Sequence, residues 1–161
     1  HFVKLGIKLS KEEIIDCMKR YMLDEYLYNI PAKSNVISVL KTLKESGANL
    51  NVLTASPHVT LDVCLKRLGM FDLFTNVWSC DDFNTTKSDV NIYKMVAEEL
   101  GESVENILFL DDNLNADVTA KAAGMKVCGV YDESSKEFTD EIKAATDFFI
   151  NDFKQLLELE K

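Results

Sequence analysis

From about residue 34 to its end, the sequence alternates short apolar segments with amphipathic ones, and this alternation restricts the possible folds more than any other feature. The apolar segments are continuous, which predicts strands buried on both faces of a parallel sheet. They are 50–53, 76–79, 107–110, 126–130 and 148–150. Repeated strand–helix–strand units have right-handed crossovers, so we predict an α/β fold with a Rossmann-like parallel sheet flanked by helices.

The amphipathic segments have the apolar spacing of helices that cover such a sheet, as Val36, Val39, Leu40 and Leu43 show. A glycine follows each of the first four, where it favours the left-handed C-cap of a helix. The predicted helices are 36–46, 59–68, 90–100, 116–123 and 136–145, and the capping glycines are Gly47, Gly69, Gly101 and Gly124.

Residues 1–29 differ from the rest because they contain no segment typical of a buried strand. Ser10 followed by Glu13 is a capping-box pattern, which predicts the start of a helix. Pro31 separates this helix from the α/β part of the chain. The piece is predicted to be helical and peripheral to the sheet, although its periodicity suits a helix packed on the sheet face equally well.

The composition restricts the partners and the compartment of the protein. The 161 residues carry a formal charge of −9, spread along the chain, which gives no general attraction for nucleic acid or anionic membranes. No apolar run approaches the roughly 18 residues of a membrane span. The four cysteines form no C-x-x-C pair, and a domain of this size does not need disulfides. We therefore expect a cytoplasmic protein.

Ligands of such folds bind beyond the carboxyl ends of the strands, where two polar loops occur. The strand at 50–53 runs into Thr54, Ala55 and Ser56, whose hydroxyl and backbone N–H groups suit a phosphate. These residues also suit an ordinary turn. Lys87 lies in the loop after the strand at 76–79, where it either contacts a phosphate or is merely solvated.

An acidic pair comes directly after the strand at 107–110. Asp111 and Asp112 repel each other there, and a divalent cation such as Mg²⁺ would relieve that repulsion. The alternative is that Asp112 or Asn113 only caps the next helix. A hydroxyl, a lysine and an acidic pair at successive strand ends form an anion-stabilising set that is far more specific than any one of them.

These segments together resemble the capped phosphatases of the haloacid dehalogenase-like superfamily, in the group of phosphoglycolate phosphatase and β-phosphoglucomutase. The resemblance covers residues 31–157, and Ser88 replaces the proline that usually comes after the lysine. The matching motifs are Val-Leu-Thr-Ala-Ser at 52–56, Thr-Lys-Ser-Asp-Val-Asn-Ile-Tyr at 86–93, Leu-Phe-Leu-Asp-Asp-Asn at 108–113, Ala-Ala-Gly-Met at 122–125, and Phe-Phe-Ile-Asn-Asp-Phe at 148–153.

The resemblance implies a Mg²⁺-dependent phosphatase that acts on a small phosphorylated metabolite through an aspartyl-phosphate. Thr54 and Lys87 would be catalytic and, with Ala55 and Ser56, would bind the phosphate. Asp112 would ligate Mg²⁺, and Asp111 would act from behind it or through water. Some relatives carry another acid four residues after the ligand, but Ala116 stands there, so Asp117 is given no role.

The resemblance also implies two structural units and one missing part. Residues 1–29 would be the last helices of a helical cap, and residues 30–161 would be the α/β core. The D-x-D motif that carries the nucleophile occurs nowhere in the 161 residues. Because its strand would lie between the strands ending at Thr54 and Asp111, we expect a longer native protein with the nucleophile upstream.

Other functions match only some of these residues. A metal-free dehalogenase of the same superfamily has little reason to carry the acidic pair. A response-regulator receiver has the acidic pair first and the lysine last, the reverse of the order here. A phosphomutase, or a catalytically inactive binding module in which the nucleophile is truly lost, is the alternative to a phosphatase.

Overall fold

The computed structural model describes residues 9–159, and its elements have the predicted order. Helix bounds differ from the predicted ones mainly at the last helix. There Asp132 accepts a hydrogen bond from the Ser134 amide and starts a 3₁₀ segment, Glu133–Phe138, before the α-helix. The helices are α1 Lys11–Asp24, α2 Val36–Glu45, α3 His58–Arg67, α4 Val90–Leu100, α5 Leu114–Ala123 and α6 Thr139–Ala145, and the strands are β1 Asn51–Thr54, β2 Asn76–Ser79, β3 Leu108–Asp111, β4 Lys126–Val130 and β5 Phe148–Ile150.

The predicted caps are confirmed. Ser10 Oγ accepts from the Glu13 amide at 3.1 Å, and Glu13 Oε2 accepts from the Ser10 amide at 2.7 Å. Gly101 and Gly124, with φ of 66° and 104°, end α4 and α5 in the left-handed region that glycine adopts without strain. No helix within residues 9–159 combines the length and the apolar character needed to cross a membrane.

The strands form two parallel groups. β1 pairs with β2, and β3, β4 and β5 pair in that order. Among residues 9–159, no strand pairing joins β1 to β3, so each of them keeps one unpaired edge. The predicted burial on both faces is confirmed for β4, whereas β1 is half-buried and Leu108 of β3 is 36 % exposed. An unpaired edge explains this difference, because no neighbouring strand covers it.

One apolar cluster joins the two strand groups into a single core. Leu53 of β1 and Phe109 of β3 pack against the same buried residues. These residues are Cys80, Ile92, Tyr93, Ala120, Met125 and Val127. Cys128, next to Val127 in β4, points to the other face and packs with Val39 of α2 and Leu156. The two groups therefore lie side by side with helices on both faces.

Helix α1 lies at the periphery, as predicted, because none of its residues is buried. A π-helical turn, Glu25–Asn29, comes after it and packs against α3. Ile15, Met18 and Met22 of α1 are 40–50 % exposed. The first eight residues lie outside the described part of the chain, so only part of the predicted segment 1–29 is defined.

Candidate active site

The polar residues predicted from the sequence lie at the carboxyl ends of the strands or in the loops that follow them. Because the strands are parallel, these ends meet at one edge of each sheet. Thr54 at the end of β1 is in register with Ser79 at the end of β2, from which the chain continues to Lys87. Asp111 ends β3 opposite Gly129 of β4.

The loop after β1 is more constrained than the sequence suggests. The amide of Ser56 donates to Thr54 Oγ1 at 3.1 Å. The expectation that the N–H groups of this loop are free for a phosphate is therefore wrong for Ser56. Because Thr54 Oγ1 accepts this bond, its own hydrogen is directed away from Ser56 and remains available to a ligand. Both side chains are half-buried.

Lys87 is not the solvated loop lysine of the alternative prediction. Its side chain is 21 % exposed, and Nζ lies 2.5 Å from Asp111 Oδ2. Its carbonyl accepts a hydrogen bond at 2.8 Å from the hydroxyl of Tyr93, a fully buried residue of α4. The same hydroxyl also lies 3.1 Å from the carbonyl oxygen of Ala116 in α5. Lys87 is thus fixed through both its backbone and its side chain.

The two members of the acidic pair have different surroundings. Asp111 Oδ1 accepts from the amides of Asp112 and Asn113, each at 2.9 Å, while Oδ2 faces Lys87. Asn113 is the N-cap of α5, because its side chain accepts from the Asn115 and Ala116 amides. The capping alternative therefore applies to Asn113, and Asp112 has no capping role.

Asp112 is the less neutralised carboxylate of the pair. Burial, and then the charge of Asp111, raise its pKa above the ordinary range. Lys33 opposes this shift, since its Nζ lies 3.6 Å from Asp112 Oδ2. Lys33 also forms an ion pair with Asp132, and together with Ser134 it lowers the pKa of Asp132 to about 2. Sequence reasoning missed Lys33 and Asp132, because nothing local connects them to Asp112.

Asp117 is a second residue that sequence reasoning set aside. It is fully buried in the first turns of α5, and neither carboxylate oxygen has a hydrogen-bond partner among residues 9–159. Burial, and then the charges of Asp111 and Asp112, raise its pKa to about 8. A usable signal existed, because Asp117 shares a helix face with Ala120, and an acid on a small apolar face is unusual.

A divalent cation fits this acidic cluster only in part. The pKa values of Asp112 and Asp117 are both raised, so a nearby cation would favour their ionised forms, and the oxygens of Asp117 lack any other partner in the described chain. Within the described residues, however, no three His, Cys, Asp or Glu side chains converge as a complete metal site. Mg²⁺ commonly takes one or two protein carboxylates and completes its shell with water and phosphate oxygens. The residues present therefore suit Mg²⁺ better than a metal that needs a full set of protein ligands.

Comparison with known proteins places these features in a family. Residues 5–124 match the family model of the haloacid dehalogenase-like hydrolases. The chain is 28 % identical over 123 residues to the "Putative phosphatase YhcW" of Bacillus subtilis, covering 76 % of this chain and 56 % of that protein. It is 25 % identical over 135 residues to an (S)-2-haloacid dehalogenase of Pseudomonas putida, covering 80 % and 57 %.

The fold comparison agrees with the sequence comparison. The crystal structure of a predicted phosphoglycolate phosphatase from Haemophilus somnus superimposes with a TM-score of 0.83 and 24 % identity, covering 98 % of this chain and 71 % of that one. The chain spans about half the length of the curated relatives it matches. With a family match over residues 5–124 and a parallel α/β core of the same shape, the chain belongs to the haloacid dehalogenase-like hydrolases.

Proposed function

We propose that the complete protein is a Mg²⁺-dependent phosphatase that acts on a small phosphorylated metabolite. The observation that carries this proposal is the buried carboxylate of Asp117, which lacks a partner among residues 9–159 and lies close enough to Asp111 and Asp112 for their charges to raise its pKa. With this raised pKa, Asp117 holds its proton at neutral pH, and a cation bound nearby would favour the ionised form instead. A dehalogenase that works without a metal would have no use for three neighbouring carboxyl groups at this place.

In this proposal Thr54 and Lys87 hold the phosphoryl group. The Thr54 hydroxyl already accepts one bond and can donate its hydrogen to a phosphoryl oxygen. The Lys87 ammonium has three hydrogens, and Asp111 engages one of them at 2.5 Å. The other two can face the substrate, so the ion pair with Asp111 orients Lys87 and still leaves it able to bind a phosphoryl oxygen.

Asp112 and Asp117 would hold Mg²⁺, with Asp111 behind them on Lys87. When bound, the ion would neutralise charge on the phosphoryl oxygens and so favour attack at phosphorus. Of the three carboxylates, Asp111 is the least available, because both of its oxygens already accept hydrogen bonds. This assignment keeps the predicted role of Asp112 and adds Asp117.

The nucleophile is proposed to come from a strand outside residues 9–159 that pairs with the free edges of β1 and β3. Supporting this, β1 and β3 contact a common core but do not pair with each other in the described residues. A parallel strand placed between them would satisfy the backbone groups of both edges. An aspartate at its carboxyl end would emerge between Thr54 and Asp111, where it could form the aspartyl-phosphate.

The predicted division into a cap (1–29) and a core (30–161) is kept as part of the proposal. The exposed apolar face of α1 suits a helix that belongs to a second unit and closes over a substrate. The free state of Cys17, Cys64, Cys80 and Cys128 suits the reducing cytoplasm that the sequence predicts.

The test is hydrolysis of phosphate esters by the complete gene product. We expect release of inorganic phosphate from p-nitrophenyl phosphate or a phosphorylated metabolite, and loss of that release in excess EDTA. Undiminished hydrolysis in EDTA would contradict the metal role. Halide release from a 2-haloacid without phosphatase activity would support a dehalogenase, and transfer of phosphate to a second hydroxyl of the substrate would support a phosphomutase.

A further inference from the structure

A hydrogen bond connects the peripheral helical segment to the loop after β1. The hydroxyl of Tyr26, in the π-helical turn, lies 2.8 Å from Ser56 Oγ. Ser56 in turn donates its amide to Thr54 Oγ1. Two hydrogen bonds therefore lead from Tyr26 to the hydroxyl that the proposed function assigns to the phosphate.

The backbone of Tyr26 is held in place by a second contact. In the π-helical turn the Ile30 amide bonds to the Glu25 carbonyl at 2.9 Å, and Pro31 has no N–H. The Tyr26 carbonyl is therefore left without a donor from its own turn. Arg67 of α3 supplies one, because its Nε lies 3.2 Å from Tyr26 O, while its guanidinium also donates to Ile30 O.

The π-helical turn makes specific polar contacts with the loop after β1 and with α3. π-Helical turns are uncommon and often occur at functional sites. Here the turn places the Tyr26 phenol against the loop after β1. Arg67 of α3 donates a hydrogen bond to the Tyr26 carbonyl, which has no donor in its own turn. Tyr26 and Ser56 are both half-buried, so this bond is partly shielded from water.

We propose that Tyr26 is a positioning residue for phosphate binding. By holding Ser56, it fixes the acceptor bond on Thr54 Oγ1 and so directs the Thr54 hydrogen toward the phosphoryl oxygen. The position of the helical segment 11–29 is thereby coupled to the affinity of the loop for phosphate. This inference rests on the proposed phosphatase function.

The test compares Tyr26→Phe with the wild type in the complete gene product. Loss of one hydrogen bond should raise both KM for a phosphate ester and the inhibition constant of inorganic phosphate by about three- to tenfold. The value of kcat should change less than about twofold, because the reacting groups stay in place. Tyr28→Phe is the matched control, since Tyr28 is 71 % exposed and should change neither constant.

A double-mutant cycle separates this role from general destabilisation. Ser56→Ala should raise the inhibition constant of phosphate as much as Tyr26→Phe does. The double variant should show the same constant as either single variant. Unchanged phosphate inhibition in Tyr26→Phe, or additive effects in the double variant, would overturn the positioning role alone. Absence of phosphatase activity in the wild type would instead overturn the proposed function and this role with it.

Discussion

Lys87 Nζ and Asp111 Oδ2 lie 2.5 Å apart, so an ion pair joins the loop after β2 to the end of β3. β2 and β3 belong to strand groups that do not pair with each other in the described residues. The Lys87 side chain is 21 % exposed and that of Asp111 is 9 % exposed, so water screens the pair only weakly. This contact holds the loops of the two strand groups together, and it also fixes the position of the Lys87 ammonium in the candidate site.

Lys87→Ala should therefore reduce both catalysis and stability. We expect kcat/KM to fall on the order of 10²–10³-fold, as when one preorganised donor is removed. The free energy of unfolding should fall by about 1–3 kcal/mol, because Asp111 loses its partner in a partly buried site. Steady-state kinetics and urea denaturation measure the two effects, and Lys94→Ala, at an exposed position of α4, is the control. A loss of less than about threefold in rate would show that Lys87 does not contact the phosphoryl group.

Asp112→Asn should abolish the response to Mg²⁺. In the complete gene product, millimolar Mg²⁺ should raise the melting temperature, because a ligand that binds only the folded state stabilises it. Asp112→Asn should lose both this shift and turnover, whereas Asp16→Asn, in the exposed part of α1, should retain both. A fully active Asp112→Asn variant would contradict the metal assignment.

Asp117 should make stability depend on pH when no metal is present. The unfolded carboxyl loses its proton near pH 4, whereas the folded one keeps it until about pH 8. Between these values the folded state binds the extra proton, so this group lowers the free energy of unfolding as pH rises from 4 to 8. Asp117→Asn should show a flatter profile in EDTA and be the more stable protein above pH 8. Urea denaturation across this range measures it, and an unchanged slope in the variant would refute the assignment.

Gly129→Ala should destabilise the core without touching any polar group of the site. A Cβ at Gly129 would lie 2.4 Å from Ile142 Cγ2 and 3.0 Å from Phe149 Cδ2. Ile142 is only 1 % exposed, so overpacking beside it should lower the free energy of unfolding by about 1–3 kcal/mol. Adding Ile142→Ala removes the obstructing methyl group. The double variant should therefore lose less free energy of unfolding than the two single variants lose in sum. Strict additivity in thermal or urea unfolding would show that no clash occurs.

The 161 residues by themselves should have no phosphatase activity above background, whatever metal is supplied. They contain no D-x-D motif, and Asp111 and Asp112 are placed to hold a metal rather than to attack phosphorus. They should also fold poorly, because β1 and β3 keep unpaired edges within the described residues. An N-terminal extension that carries a D-x-D strand should restore both folding and Mg²⁺-dependent hydrolysis. A well-folded, active chain of these residues alone would mean that one of its own acids is the nucleophile.

The amino-acid sequence by itself determined the elements and the order of the site residues. Continuous apolar segments predicted the strand bounds within one residue, and apolar periodicity, Ser10 with Glu13 and the glycines after the helices predicted the helices. They also placed Thr54 and Asp111 at strand ends and Lys87 in the loop after β2, because the bounds of a strand fix where its carboxyl end lies. Local signals sufficed here because hydrogen bonding within a helix, helix capping and a short apolar segment all depend on residues that are near neighbours in the sequence.

Only the tertiary structure decided what each polar group contacts. The partners of Lys87 and Tyr26 lie 24 and 30 residues away along the chain, and no local pattern encodes such pairs. The burial of Asp117 likewise depends on how α5 packs beneath β3 and β4. Its pKa is a consequence of that packing, because desolvation and the nearby carboxylates act through space rather than along the sequence.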